Sequence, residues 1–311
     1  MSDVTVSELY RLYRPTTFKE VYGQEGVVSS LQSLFTRRAV PHAMMFCGPS
    51  GCGKTTLARI CAQLLECHER DFMEVNAAEH RSIDDVRKIQ ERMGLQPRGK
   101  CRVWLLDEAH QLTDQAQHAL LKMLEDVPAT VYFMLATTHP EKLLPTIRSR
   151  CTPFTVALLD SDAMEKTISG VVKKAKARMD DKVIQAIVKA AGGGARRALV
   201  LLHQVLGIET VEAQIKAIQD ADVEAEVIEI ARLLLKPNTT WKQLAPVLRR
   251  LQKAIDADAE GLRYMVLGYM KAVLLSRGDP RAAQVMKMFQ YTFNDSRAAG
   301  FVMACYDTVS M

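Results

Sequence analysis

Gly48-Pro49-Ser50-Gly51-Cys52-Gly53-Lys54-Thr55 spells G-x-x-x-x-G-K-T, and its flanks decide how it is read. Ahead of it, Ala43-Met44-Met45-Phe46-Cys47 is an apolar run of strand length; behind it, Thr56 to Leu65 has apolar residues at helical spacing. Strand, glycine turn and helix in that order form the context in which this motif holds phosphate. Gly48, Gly51 and Gly53 let the backbone turn its N–H groups, that of Cys52 included, inward around a β-phosphate at the positive end of a helix. Lys54 is placed to reach the β- and γ-phosphates, the Thr55 hydroxyl to ligate Mg²⁺, and Thr56 to open the helix beside them. A glycine turn with no ligand is the bland alternative, and the Lys-Thr pair with these flanks argues against it. The reading is a chain that binds ATP with Mg²⁺.

A second stretch turns binding toward hydrolysis. Arg102-Val103-Trp104-Leu105-Leu106-Asp107-Glu108 is an apolar strand closed by two carboxylates. Asp107 is placed to act on Mg²⁺ through water and Glu108 to polarise the attacking water; phosphoryl transfer needs little beyond such positioning and charge neutralisation. With Ala109-His110 the string becomes D-E-A-H, which also occurs in one helicase class, but no second motor-sized domain follows.

Composition sets the bounds. The chain has 311 residues, 48% apolar and 25% charged, which suits a large domain with one or two small ones. No apolar run approaches the roughly 20 residues of a membrane span, and Met1-Ser2-Asp3-Val4-Thr5-Val6 does not read as a secretory signal. Seven cysteines, an odd number, point to reduced thiols and a cytoplasmic setting, with the host cytoplasm or a nucleus as the variants for a viral or eukaryotic source. Cys67-His68 has no second ligand pair nearby, so zinc is not expected. A net charge of +5 permits a nucleic-acid partner without requiring one.

Along the chain, candidate strands at Ala43–Cys47, Phe72–Val75, Val103–Asp107, Val131–Ala136 and Phe154–Val156 alternate with helical patterns at Val28–Arg37, Thr55–Leu65, Ile83–Met93 and Asp114–Leu124. Such alternation predicts an α/β domain with a parallel five-stranded sheet covered on both faces. After Asp160 strand signals cease. Asp162–Ala177, Asp181–Ala191 and Ala195–Leu206 read as three helices, and amphipathic helices follow from Ile208, including Val227–Leu235, Leu244–Ile255 and Leu262–Leu274, with a break at Asp256–Ala259. The division is 1–157 for the nucleotide domain, 158–206 for a helical lid and 207–311 for an all-helical tail.

Several further strings resemble the AAA+ clamp-loader ATPases: replication factor C small subunits, the bacterial polymerase III gamma subunit and the phage loaders. They are Tyr13-Arg14-Pro15-Thr16-Thr17-Phe18, Gly23-Gln24, Pro41-His42, Asn76-Ala77-Ala78, Ala116-Gln117-His118-Ala119-Leu120-Leu121-Lys122-Met123-Leu124-Glu125, Ala136-Thr137-Thr138, Ser149-Arg150-Cys151 and Gly193-Gly194-Ala195-Arg196-Arg197-Ala198-Leu199. The resemblance covers roughly residues 7–206. Two departures stand out. Only Glu66–Asp71 occupies the place of the bacterial cysteine-rich zinc insertion, and His139 stands where bacterial relatives usually carry aspartate. Both favour a compact loader of the archaeal–eukaryotic or phage kind.

The resemblance implies roles. Thr138 would be the first sensor, orienting water near the γ-phosphate. Arg150 would be the finger entering the neighbouring subunit's site, with Arg148 beside it as the rival by position. Arg196 would be the second sensor on the lid, with Arg197 as its rival. Tyr13, Arg14 and Pro15 would line the adenine pocket. Arg81, at the start of a helix with Ser82 and Lys88, would follow the backbone of primer–template DNA, with Arg92, Arg98 and Lys100 adding positive charge. The tail would be a collar in a five-membered ring of this chain and at least one other loader subunit, and an apolar patch on Gln111–Met123 would face the sliding clamp or the next subunit. No membrane partner is implied. An AAA+ helicase loader or remodeller remains the alternative, as does a structural subunit that does not hydrolyse ATP.

Overall fold

The computed structural model of the chain describes residues 12–310; the opening hexapeptide weighed above as a signal lies outside the described residues. Two compact units divide at Val211 and Glu212.

In the first unit, β1 (Ala43–Cys47), β2 (Phe72–Asn76), β3 (Arg102–Asp107), β4 (Val131–Thr137) and β5 (Thr152–Thr155) form one sheet in the order β2-β3-β4-β1-β5, every pairing parallel. The period-2 alternation of the strands splits the core in two. Met45, Trp104, Leu106, Phe133 and Leu135 point to one face. There they meet α3 (Ile83–Met93), through Val86 and Ile89, and α4 (Asp114–Glu125), through Leu120 and Met123. Met44, Phe46, Val103, Leu105, Met134 and Ala136 point to the other. That face is covered by α1 (Glu25–Thr36), through Leu31, and α2 (Lys54–Leu64), through Leu57 and Ile60. Central strands apolar on both sides are what a parallel sheet under two helical layers requires. All strand carboxyl ends, and therefore the loops after β1 and β3, fall on one edge, where ligands of such sheets bind.

The structure refines several expectations and bears out the Ile83–Met93 helix. Strand β5 runs from Thr152 rather than Phe154. Helix α3 begins at Ile83, so Arg81 precedes it: the Ser82 hydroxyl accepts from Asp85 N–H at 3.2 Å while Asp85 Oδ2 accepts from Ser82 N–H at 3.3 Å, a reciprocal cap. A short α5 (Pro145–Arg150) had no counterpart in the sequence reading. The apolar residues Ala116, Leu120 and Met123 within Gln111–Met123 are buried in the sheet core, not offered as a patch, because they point inward from α4 onto β3 and β4. In place of the zinc insertion, a one-turn helix at Glu69–Asp71 is sewn to residues 98–102: Asp71 accepts from Arg98 N–H at 2.6 Å and Gly99 N–H at 3.1 Å and pairs with Arg102 at 3.1 Å.

Three further helices complete this unit: α6 (Ser161–Lys174), α7 (Asp181–Ala191) and α8 (Ala195–Val205). Gln24 ties their approach to the sheet domain, donating to Ala157 C=O at 2.7 Å and accepting from Ala157 N–H at 3.2 Å.

The second unit is helical: α9 (Val211–Leu235) leads into it, followed by α10 (Trp241–Arg250), α11 (Gln252–Arg277), α12 (Pro280–Met288) and α13 (Arg297–Ser310). Its core is built from Leu234, Leu244, Val266, Met270 and an aromatic trio of Phe289, Phe293 and Phe301. The predicted break at Asp256–Ala259 is a kink inside α11: Asp258 leaves helical geometry (φ −152°, ψ 69°) and its side chain caps the restart by accepting from Gly261 N–H at 2.8 Å. The break falls earlier for Leu244–Ile255, which the junction at Leu251 divides.

Candidate active site

Gly48 has φ +155°, and a Cβ there would lie 2.0 Å from the Val156 carbonyl oxygen; only glycine lets the chain leave β1 so close to its neighbour. Gly53 (φ +109°) caps α2 and aims the free N–H groups of that helix at the loop mouth. Lys54 is 5% exposed and its ammonium donates to the carbonyls of Gly48 (2.8 Å) and Pro49 (2.7 Å). The Thr55 hydroxyl donates to Asp107 Oδ2 at 3.1 Å, bringing the ends of β1 and β3 together.

A hydroxyl and a carboxylate oxygen at that distance are a hard-oxygen pair of the kind Mg²⁺ takes when phosphates and water complete its shell, so the residues present fit that ion. Cys52, in the middle of the loop, is buried, and burial raises its thiol above the usual range, leaving it a neutral packing group.

Glu108 follows Asp107 in the left-handed region (φ 50°, ψ 42°), unusual for a residue with a side chain. Its Oε2 accepts from the Thr138 hydroxyl at 3.4 Å, so the expected acid and first-sensor threonine lie side by side.

Lys54, Thr55, Asp107 and Glu108 border a cavity of about 840 Å³, whose lining does not include Gly48 or Thr138. Ser50 to Leu57 form its floor, Asp107 and Glu108 one wall, and Tyr13, Arg14 and Pro15 another. Arg196, from the start of α8, lines it as well, and a Cβ on Gly51 would lie 3.3 Å from Arg196 Cβ, so lid and phosphate loop touch. Of the two arginines the sequence left open at this position, Arg196 borders the cavity.

The sequence reading missed several cavity residues. Glu20 and Lys174 pair across it at 2.6 Å, and this ion pair, with the Thr16 N–H, lowers the Glu20 carboxyl to about 2. Arg59 pairs with Glu74 and lies over the Phe72 ring at 4.8 Å. Asn76, at the end of β2, also borders the space. Pairing of β2 with β3 brings Glu74 and Asn76 there, a signal that only strand order supplies.

The remaining site residues stand apart. Arg150 ends α5 away from this cavity; it pairs with Glu125 at 2.6 Å and donates to Thr146 C=O at 3.2 Å. Arg81 and Ser82 precede α3, whose first turn carries Asp84 and Asp85. Lys88 sits 3.5 Å from Asp85 and Lys100 2.7 Å from Glu66. Such exposed pairs are worth little, so a phosphate could compete for both lysines, whereas the two aspartates oppose an anion at the helix start. Gln117, of the string peculiar to the resembled family, is buried and holds three backbone groups: it donates to Leu112 C=O (3.3 Å) and Lys142 C=O (3.4 Å) and accepts from Leu144 N–H (2.8 Å). It thereby fixes the segment leading into α5 and Arg150.

Comparison with known proteins gives two family models: "DNA polymerase III, delta subunit" over residues 70–160 and "Magnesium chelatase, subunit ChlI" over residues 17–102. The DNA polymerase III subunit gamma/tau of Mycobacterium tuberculosis is 36% identical over 222 residues, covering 64% of this chain and 38% of that one. The tau subunits of Bacillus subtilis and Escherichia coli are each 33% identical over 220 residues, 64% of this chain and 39% and 34% of theirs. The chain thus matches well under half the length of these relatives. Among solved structures, the Thermotoga maritima RuvB Holliday junction branch migration motor superposes with a TM-score of 0.53 at 21% identity, covering 84% of this chain and 79% of that one. Over 64% of its length the chain is similar to the gamma/tau subunits, and it shares the fold of the RuvB motor. The relatives named here are bacterial, whereas the two departures favoured archaeal–eukaryotic or phage loaders.

Proposed function

We propose that this chain is an ATP-driven motor subunit of a clamp loader, a cytoplasmic ATPase that opens a sliding clamp and closes it on primer–template DNA during replication. The carrying observation is the convergence of Lys54, Thr55, Asp107 and Glu108 on one cavity edge. In this reading the N–H groups of Gly51, Cys52, Gly53 and Thr56 cradle phosphate oxygens and Lys54 neutralises them. Bound Mg²⁺ at Thr55 and Asp107 supplies charge neutralisation on the transferring group. Glu108 polarises the attacking water, Thr138 orients it, and Arg196 couples lid position to the γ-phosphate. Tyr13, Arg14 and Pro15 hold the base.

Arg150 acts outside its own cavity, in the site of an adjoining subunit. An arginine lent in this way is worth roughly 10³–10⁵ in rate. The Arg150–Glu125 pair then opens when a neighbour docks. Five such subunits, copies of this chain with at least one other loader subunit, form the working ring, and DNA is held by its backbone through Arg81, Ser82 and Lys88. Binding to DNA should accordingly weaken with salt, with a slope of about 0.9 per phosphate neutralised.

The test is ATP turnover by the assembled subunits with and without clamp and primed DNA. Glu108→Gln should bind ATP and stop turnover. Arg150→Ala should keep nucleotide affinity while the stimulated rate falls at least about 10³-fold. Equal rates from dispersed single chains and the assembly would rule out the shared site. Stimulation by single-stranded DNA or a helicase, without response to clamp, would favour a helicase loader.

A further inference from the structure

One buried side chain beside Glu108 has no part in the reading above. His110 lies in the single-turn helix Ala109–Gln111, and its side chain is 4% exposed. A buried imidazole is costly unless its nitrogens are satisfied, and here both are. Nδ1 lies 3.1 Å from Thr137 Oγ1 and 3.5 Å from Glu108 Oε2; Nε2 lies 3.0 Å from Gln111 Nε2.

An amide nitrogen can only donate, so with Gln111 oriented in this way Nε2 accepts and the ring hydrogen resides on Nδ1. The ring stays neutral: burial, His139 and Lys142 lower its pKa, outweighing the opposite pull of Glu108 and Glu141. The Nδ1–H therefore serves Thr137 Oγ1, with Glu108 Oε2 3.5 Å from the same nitrogen. Thr137 is fully buried, and its oxygen also accepts from His139 N–H at 3.1 Å, which fixes it at the end of β4. The His139 ring packs edge-on against His110 with centroids 5.0 Å apart, closing the other side.

We propose that His110 is a positioning residue: its Nδ1–H locks the Glu108 carboxylate to the end of β4, in register with Thr138. This role presupposes Glu108 as the water-polarising group. Glu108 needs such help because its backbone is strained and its side chain is 35% exposed, so nothing on the solvent side selects a rotamer. The Thr138 hydroxyl donates to Oε2 at 3.4 Å and His110 Nδ1 lies 3.5 Å from the same oxygen, leaving Oε1 for water. A base must be held to within about 0.5 Å of its productive place, and a displacement of about 1 Å can cost about 10²-fold in rate.

The test uses the full chain assembled with its partner subunits and compares three variants for kcat, KM and binding of a fluorescent ATP analogue. His110→Leu fills the space without a donor; kcat should fall 10- to 100-fold with nucleotide affinity within twofold. His110→Asn returns an N–H near the Nδ1 position and should recover kcat to within about fivefold of the parent. His110→Gln, whose amide extends toward the Nε2 position, should not.

A packing role predicts the reverse order, with Leu best; that order, or equal turnover of Asn and Gln variants, overturns the proposal. Should the Leu variant fail to fold, the Asn–Gln comparison decides alone. Glu108→Gln separates the layers. If it still turns over ATP, the role of Glu108 is wrong; if it is blocked while the His110 variants run at parental rates, only the positioning role is lost.

Discussion

Two glycines of the phosphate loop show why the motif requires that residue type for different reasons. At Gly48 the obstacle is a neighbour: a Cβ would meet the Val156 carbonyl at 2.0 Å, and both groups belong to backbone that the sheet holds fixed. At Gly53 the obstacle is conformation alone, since φ is +109° and nothing lies within 4 Å of a would-be Cβ. Gly53→Ala should therefore cost the one to two kcal/mol, roughly, of a left-handed backbone. Gly48→Ala adds a clash that β1 and the segment after β5 cannot relieve, and should cost about 3 kcal/mol or more. Urea unfolding of the two variants checks the order; a Gly48 variant as stable as the Gly53 variant would show that β1 and residue 156 can part. The motif letters alone announce both glycines without distinguishing them, because the contact at Gly48 depends on β1 lying beside β5.

Legibility at the level of elements followed the length of the pattern. Strands β1, β3 and β4 were legible because four to six consecutive, mostly buried apolar residues leave a continuous hydrophobic run. Edge strand β5, with only one of its four side chains buried, had its limits shifted, whereas edge strand β2 was placed to within one residue. Helix α5 escaped because six residues carry less than two turns of periodicity; Pro145 at its first position was the available signal. The acid end of the site was legible as adjacent carboxylates, whereas the contact of His110 with Thr137 spans 27 residues and exists only once β4 lies beside β3. The Asp71–Arg102 pair, 31 residues apart, was hidden for the same reason.

That pair carries a pH dependence. Burial acts to raise the Asp71 carboxyl, but donation from Gly99 N–H, Arg98 N–H and Arg102 outweighs it and lowers the pKa. The folded value then lies below the unfolded one of about 3.9. Its stabilisation is complete above the unfolded value and is lost as the pH falls through the folded one. Asp71→Asn leaves the Arg102 guanidinium, 11% exposed, without its counter-charge, and should cost about 3 kcal/mol at neutral pH. It should also flatten the acid limb of stability below about pH 4. Urea midpoints from pH 2.5 to 7 test this. A variant that keeps the parental acid slope would mean that other carboxylates set it.

Each of the two units has its own core, and the cavity is confined to one of them: every residue bordering its 840 Å³ lies before Val211. A ligand that binds only the folded state stabilises it by RT ln(1 + [L]/Kd), about 2.7 kcal/mol at a hundredfold excess over Kd. With the cavity in the first unit, Mg²⁺ and a slowly hydrolysed ATP analogue should raise the melting transition of that unit. The second unit, whose aromatic trio and buried Arg263–Glu260 pair owe nothing to nucleotide, should melt where it did before. Calorimetry of the whole chain would then show two transitions moving apart, or one that splits, as ligand is added. Lys54→Ala removes the buried ammonium that faces the loop and should abolish the displacement while leaving the second transition in place. A single transition moving as one body at every nucleotide concentration would mean that the units unfold together, and that ATP energy reaches the helical unit through folding cooperativity itself.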